Sequence, residues 1–318
     1  MNGFRKLWVF LMVFLFAIQT VQVRAEEPQN TFSGEGFTLE FRETEGGLCL
    51  TGCSVSDGTL TVEIPETVSG LPVVEMRSGF DYTESFSTLV LPPTLESIRA
   101  YCLYDAQIDR IVLNGTEDLT IEPYALPRSG HSSIEIGPDL KTYRVENGLL
   151  IDHRTNTLLY AYYGIGEDCM IPYGTTEIGA GAFARRSLKT LMISETVRII
   201  SKNAFAECFS LQEVSFPEGL VMIQDYAFFS CDKIRSLAFP DSLLYIGSHA
   251  FYQDIGQDDH ALSSITFGNG IRFIGENAFA HHHMEQVIIP DSIQFIEESA
   301  FDTDNDSFSI TGWTIPAY

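Results

Sequence analysis

The chain has 318 residues, 45% of them hydrophobic, with 43 acidic side chains against 19 basic ones and a formal net charge of −24. So acidic a surface repels phosphate backbones and anionic lipid headgroups, and no basic patch offsets it, so neither nucleic-acid binding nor direct membrane binding is expected.

Residues 1–25 open with Arg5 and Lys6, continue through an apolar run from Leu7 to Ile18 and close on Val23-Arg24-Ala25, the small-residue pattern of a cleaved secretory signal. The run is too short to span a bilayer comfortably and is followed by polar residues 26–30, which sets the signal reading above an uncleaved anchor. Cleavage would remove Arg5, Lys6 and Arg24 but no acid, taking the charge from −24 to −27. The mature chain is expected to be exported, with no membrane insertion after signal removal.

Next, Phe37-Thr-Leu39-Glu-Phe41 and Leu48-Cys-Leu50, separated by Glu45-Gly46-Gly47, alternate as a β-hairpin should, one suited to cover the first open edge of the sheet beyond it. From there the chain is repetitive. Ala-Phe recurs at Phe183, Phe205, Phe228, Phe251, Phe279 and Phe301, each with an isoleucine five residues earlier, and the same step upstream puts Leu126, Leu103 and Phe80 at the aromatic position. A unit of 22–23 residues cannot bury its apolar side alone, so its neighbours must stack and share a core. Apolar residues behind the aromatic, such as Leu211, Val214 and Phe216, or Ile234, Leu237 and Phe239, alternate with outward ones, which predicts one short parallel strand per turn. The Ile-x-x-x-Ala-Phe stretch reads as a short helical or 3-10 turn on the opposite side, giving a β-rich α/β solenoid. Phe80 through Phe301 are expected to form a single buried column.

Between Leu126 and Phe183 the spacing opens to 57 residues. Here Asn147-Gly148 between apolar alternations signals a type I′ hairpin, and Leu158 to Tyr163 supplies a further strand, so a β meander is inserted. The layout is a signal peptide over 1–25, an N-terminal β cap over 26–63, N-terminal repeats over 64–137, the meander over 138–170, C-terminal repeats over 171–310 and a tail over 311–318. No cell-wall sorting pattern or hydrophobic tail precedes Tyr318, which favours a small secreted protein.

The phrase from Phe216-Pro217 through Leu220, Ile223, Ala227-Phe228, Cys231, Ile234 and Leu237 to Phe239-Pro240 resembles the BspA-type leucine-rich repeat of bacterial surface proteins, over roughly residues 60 to 310. The resemblance implies a leucine-rich-repeat solenoid, exported or surface-attached and often adhesive, with no catalytic residues to carry over.

Candidate chemistry is sparse. Asp302, Asp304 and Asp306 alternate as at the start of an EF-hand loop, but Ser307 and Trp313 stand where glycine and glutamate belong, so a solvated acidic loop is expected rather than calcium. His281, His282 and His283 are consecutive and diverge, which makes an exposed loop the reading rather than a metal site. Cys208 and Cys231 occupy one register position on successive turns; the spacing permits a disulfide without requiring it, and they are expected, with Cys102, as buried thiols, while Cys49, Cys53 and Cys169 stay open. No nucleophile elbow, zinc helix or phosphate loop is present, and no cofactor is implied.

The candidate site is therefore the outward ladder of the strands: Thr190 and Met192, Glu213 and Ser215, Ser236 and Ala238, Ser264 and Thr266, Gln286 and Ile288. These are small, mostly uncharged side chains on what would be a rigid platform, suited to an extracellular protein or glycan. Tyr160, Tyr162 and Tyr163 form a rival patch of exposed tyrosines. The function expected is a non-enzymatic, secreted or surface-associated binding module; the alternatives are a self-assembling envelope protein and, remotely, a hydrolase whose site is assembled from scattered residues.

Overall fold

The computed structural model describes residues 30–80, 85–128, 131–253, 262–282, 284–302 and 307–312. The expected signal peptide, much of the 302–306 acidic run and His283 lie outside them.

Each regular coil of the C-terminal half has three sides; the second and third are hydrogen-bonded from coil to coil, while the first is paired only in groups of coils. On the first are the three-residue strands Thr190–Met192, Glu213–Ser215, Ser236–Ala238, Ser264–Thr266 and Gln286–Ile288. They run parallel, with Thr190 opposite Glu213, Leu237 opposite Ile265 and Val287 opposite Ile310, but no pairing joins Glu213–Ser215 to Ser236–Ala238 or Ser264–Thr266 to Gln286–Ile288. The second carries two-residue strands that align the repeated isoleucines, Ile178 with Ile200, Ile200 with Ile223 and so on to Ile296.

On the third side the structure corrects the sequence reading. Here the Ala-Phe stretch forms no helix, and the only helical segment among the described residues is the 3-10 turn Tyr163–Ile165. The fold is a β-solenoid rather than β-rich α/β. The backbone explains why. Residues two before and two after the aromatic adopt positive φ, as in Asn203 (55°) and Glu207 (60°), Tyr226 (59°) and Ser230 (51°), or Asn277 (53°) and His281 (64°). A left-handed residue at every fourth position ends any right-handed run before an i−4 bond can close. The amide hydrogens are satisfied alternately instead: Ala204 N–H donates back to Ser201 O (3.1 Å), Phe205 N–H crosses to Ala227 O (2.7 Å), and Glu207 N–H crosses to Phe229 O (2.7 Å).

Coil spacing then matches the aromatic side chain. Parallel strands lie about 4.8 Å apart, close to the separation of offset-stacked rings. The rings of Phe183, Phe205, Phe228, Phe251, Phe279 and Phe301 stack in succession with centroids 4.8, 4.9, 5.0, 5.3 and 5.3 Å apart. A second stack, Phe216, Phe239 and Phe267, meets the first edge-on, with Phe216 at 87° to Phe228 and Phe267 at 79° to Phe279. Alanine precedes each ring of the first stack because the alanine side chains are themselves buried, with no room for a larger group.

Phe80, Leu103 and Leu126 do not extend this column; they belong to a second core that fills the N-terminal half. The meander divides the two. Strands Tyr143–Glu146 and Leu149–Asp152 pair antiparallel around Asn147 (φ 51°) and Gly148 (φ 79°), the positive dihedrals that a type I′ turn requires. Leu149 and Ile151 then face the C-terminal core while Leu150 and Tyr160 face the N-terminal one. Strand Thr157–Ala161 pairs with Glu177–Ile178, so the meander is the first rung of the C-terminal coil stack as well as a partition.

At the N-terminus, Phe37–Thr44 and Gly47–Val55 form the expected hairpin, joined by an outer strand Asn30–Gly34. This cap covers only the sheet that continues through Leu71–Met76. In the other N-terminal sheet, Thr61–Glu63 remains an outer edge.

Candidate binding faces

Every residue expected on the outward ladder of the C-terminal strands points away from the core. Thr190 is half-buried and the other nine are exposed, with Met192 at 47% and Ile288 at 66%. The structure extends the ladder at both ends: Asp168–Met170 pairs with Thr190–Met192, and Ser309–Thr311 pairs with Gln286–Ile288. Met170 is 66% exposed. One file of side chains thus reads Met170, Met192, Ser215, Ala238, Thr266, Ile288 and Thr311, apolar toward its ends and small in the middle. The neighbouring file carries Asp168 and Glu213 among hydroxyls and Gln286. A further 22-residue step from Thr190 would have found Asp168 in the sequence, but that residue sits where the meander breaks the Ala-Phe phrase.

The tyrosine patch does not form as expected. Tyr160 is buried, its hydroxyl donates to Ser132 O (3.3 Å), and burial pushes its phenol up to about 12. Tyr162 is half-buried, and the side chain of Tyr163 lies outside the described residues.

Four residues three positions past the aromatic share one structural task that the sequence did not reveal. Cys208 Sγ donates to Phe183 O and Cys231 Sγ to Phe205 O, both at 3.1 Å. In the coil before them Arg186 Nε donates to Ala161 O (2.6 Å), and farther along His282 Nε2 meets Phe251 O (2.6 Å). Each satisfies a carbonyl one coil back. His282 is therefore a buried core residue and not part of an exposed loop; its Nδ1 accepts Leu262 N–H (3.2 Å), which leaves neither nitrogen free for a metal. His281 meets the Tyr252 ring edge-on at 5.0 Å. Among the described residues no group of three or more His, Cys, Asp or Glu converges on a metal position.

No disulfide joins any of the six cysteines, and only Cys53 is not buried. Burial pushes Cys49 up to about 11, Cys169 up to about 12 and Cys231 well above its ordinary value, so these thiols are not nucleophiles at neutral pH. The N-terminal half carries its own polar ladder, where Arg99 bridges Glu75 (3.0 Å) and Glu122 (2.8 Å) on the coils before and after it. Partial burial works against the Glu75 carboxylate, but hydrogen bonds from Arg99 and Arg77 prevail and hold it below its usual range.

In comparison with known families, the BspA type leucine rich repeat region matches residues 60–146 and 176–307, in six copies. Similar solved structures include the pneumococcal vaccine antigen PcpA, 17% identical, with 88% of this chain and 91% of that one covered at a TM-score of 0.46. A leucine-rich repeat protein from Eubacterium ventriosum is 16% identical, with 91% and 98% covered at 0.47. One from Bacteroides ovatus is 16% identical, with 88% and 90% covered at 0.42. No curated protein matches the chain.

Proposed function

The chain belongs to the BspA-type leucine-rich repeat family, and from that premise we propose that it is an exported, non-enzymatic binding module whose strand face recognises an extracellular protein or glycan. The observation that carries this reading is the outward ladder: a file of parallel strands whose exposed side chains bear few charges on a chain with a net charge of −24. Such a surface loses little side-chain entropy when covered, because Ser, Thr and Ala have few rotamers to freeze. Its apolar ends, Met170, Met192 and Ile288, supply area that gains from leaving water. Residues 1–25 serve as the secretory leader in this reading, which puts the partner outside the cell.

The test is an array of glycans and extracellular proteins probed with residues 26–318, alongside the triple variant Ser215→Lys, Ala238→Glu, Thr266→Lys. Alternating signs keep neighbouring rungs from repelling each other. Because all three positions are exposed, the melting temperature should stay within a few degrees of wild type. Binding to any array partner should fall by about tenfold or more. Unchanged binding would remove this face from consideration, and ordered multimers without any heterologous partner would favour a self-assembling role.

A further inference from the structure

A cleft of about 300 Å³ lies at the seam between the two halves, away from the strand ladder. It exists because the second-side sheet of the N-terminal half ends at Thr120–Ile121 and the nine-stranded sheet restarts with the meander, so no regular coil fills the gap. Its width is fixed. Tyr124 Oη donates to Lys202 O (3.2 Å) and accepts from Asn203 Nδ2 (2.9 Å), while Arg186 Nη1 donates to Arg128 O (3.0 Å). Gly181 (φ 70°) lets the Tyr124 ring lie against the backbone, since a Cβ there would come within 2.6 Å of that ring. The cleft is thus preformed, at the lower end of the size range of small-molecule sites.

Its walls combine aromatic rings with polar groups of both signs. Tyr104 and Tyr124 line one side, backed by Tyr101, which stacks on Tyr124 at 5.4 Å and is 61% exposed. Glu122 and Glu177 supply two carboxylates, and Arg128 and Arg186 supply two guanidinium groups, so the lining is neutral in a strongly acidic molecule. These groups are held in place: Glu122 accepts from Arg99 (2.8 Å) and from Ala100 N–H (2.9 Å), and Glu177 accepts from Ser201 Oγ (2.6 Å). An anion would be opposed by the fixed carboxylates and a cation by the fixed guanidinium groups. A neutral molecule that both donates and accepts hydrogen bonds, and has an apolar face to lay against the tyrosine side chains of the wall, meets neither penalty.

We propose that this seam cleft is a binding site for a neutral pyranose, either a free sugar or the terminal unit of a glycan. The proposal does not depend on the strand face, because the two surfaces lie on different sides of the coil.

Saturation-transfer NMR on residues 26–318 tests it, with the methyl glycosides of glucose, galactose and N-acetylglucosamine as neutral probes and glucuronate and glucosamine as charged ones. At least one neutral glycoside should show transfer, and more strongly than its charged counterparts. Tyr104→Ala should weaken it about tenfold, the loss of one ring contact and its neighbours. Ala184→Phe, which projects a ring into the cleft, should abolish it and decides the matter if Tyr104→Ala fails to fold. The strand-face triple variant should leave it unchanged. Absence of transfer from every neutral glycoside, transfer equal in both cleft variants and wild type, or preference for a charged sugar would overturn the proposal.

Discussion

Phe228→Ala should cost about 3–5 kcal/mol, among the largest losses any single truncation in the chain can produce. Phe228 is 1% exposed, with ring neighbours on every side: Phe205 at 4.9 Å below, Phe251 at 5.0 Å above and Phe216 edge-on at 5.7 Å. The hole cannot close by collapse. Coils on either side are tied through Phe205 N–H to Ala227 O and Phe228 N–H to Ala250 O on the turn side, and through the Ile200, Ile223 and Ile246 rungs on the second. A coil can approach its neighbour only by breaking those ladders, so the cavity persists and its lining loses contacts outright. In a stack where each unit touches only its neighbours, weakening a middle coil also weakens the coupling between the coils on either side. Phe228→Leu should cost much less, since Leu103 and Leu126 hold the equivalent position in the N-terminal half. Urea titration of the variants checks this. A loss below about 1 kcal/mol for Phe228→Ala would mean that the column is not the close-packed core described here.

Arg186→Leu should be nearly as damaging, by a different route. Arg186 is 2% exposed, and its guanidinium donates to the carbonyls of Ala161 (2.6 Å), Arg128 (3.0 Å) and Ala184 (2.7 Å) while lying 5.2 Å over the Tyr160 ring. Burial lowers its pKa, yet a guanidinium remains charged in any protein, so the buried cation is held by carbonyl dipoles and an aromatic face. Leucine fills part of the volume but leaves three acceptors without their donor, each worth about 1–3 kcal/mol when desolvated, for an expected loss of about 3 kcal/mol or more. Lysine should recover little, because one ammonium cannot reach three carbonyls set for a planar fork. Because the bond to Arg128 O spans the seam, the variant should also loosen the coupling of the halves. Calorimetry should then resolve two transitions in the variant and a single merged one in the wild type. A single transition with an unshifted midpoint would show that Arg186 is not the clasp.

Which parts of this architecture the sequence disclosed depends on what fixes each part. The inward residues of the strands and the aromatic column were legible because burial forces apolar identity at a constant spacing, as in Leu191, Leu237 and Val287. Asn147-Gly148 was legible because few other pairs tolerate two positive φ values in succession. The turn side was misread because its spacing fits either a helical turn or a chain of tight turns. What decides between them is the left-handed backbone at residues such as Tyr226 and His249, whose side chains give no such signal. The column was expected to run unbroken because Leu126, Leu103 and Phe80 hold the aromatic position of their own repeats. That the meander buries both faces of Leu149–Asp152, and so separates two cores, depends on long-range pairing that local pattern does not encode. The candidate strand face was legible as a file of outward side chains. The seam cleft was not, since Tyr104 and Tyr124 meet Glu177 and Arg186 only once the chain has folded.

The central claim, that the strand ladder is the surface a partner covers, is tested most directly by hydroxyl-radical footprinting of the complex with a partner found on the array. Met170 and Met192 are exposed on that ladder, while Tyr101 is exposed on the turn side and Tyr173 lies outside the strands, so all four report by oxidation. The account predicts slowed oxidation of Met170 and Met192 in the complex with Tyr101 and Tyr173 unchanged. Slowed oxidation of Tyr101 with both methionines unaffected would contradict it.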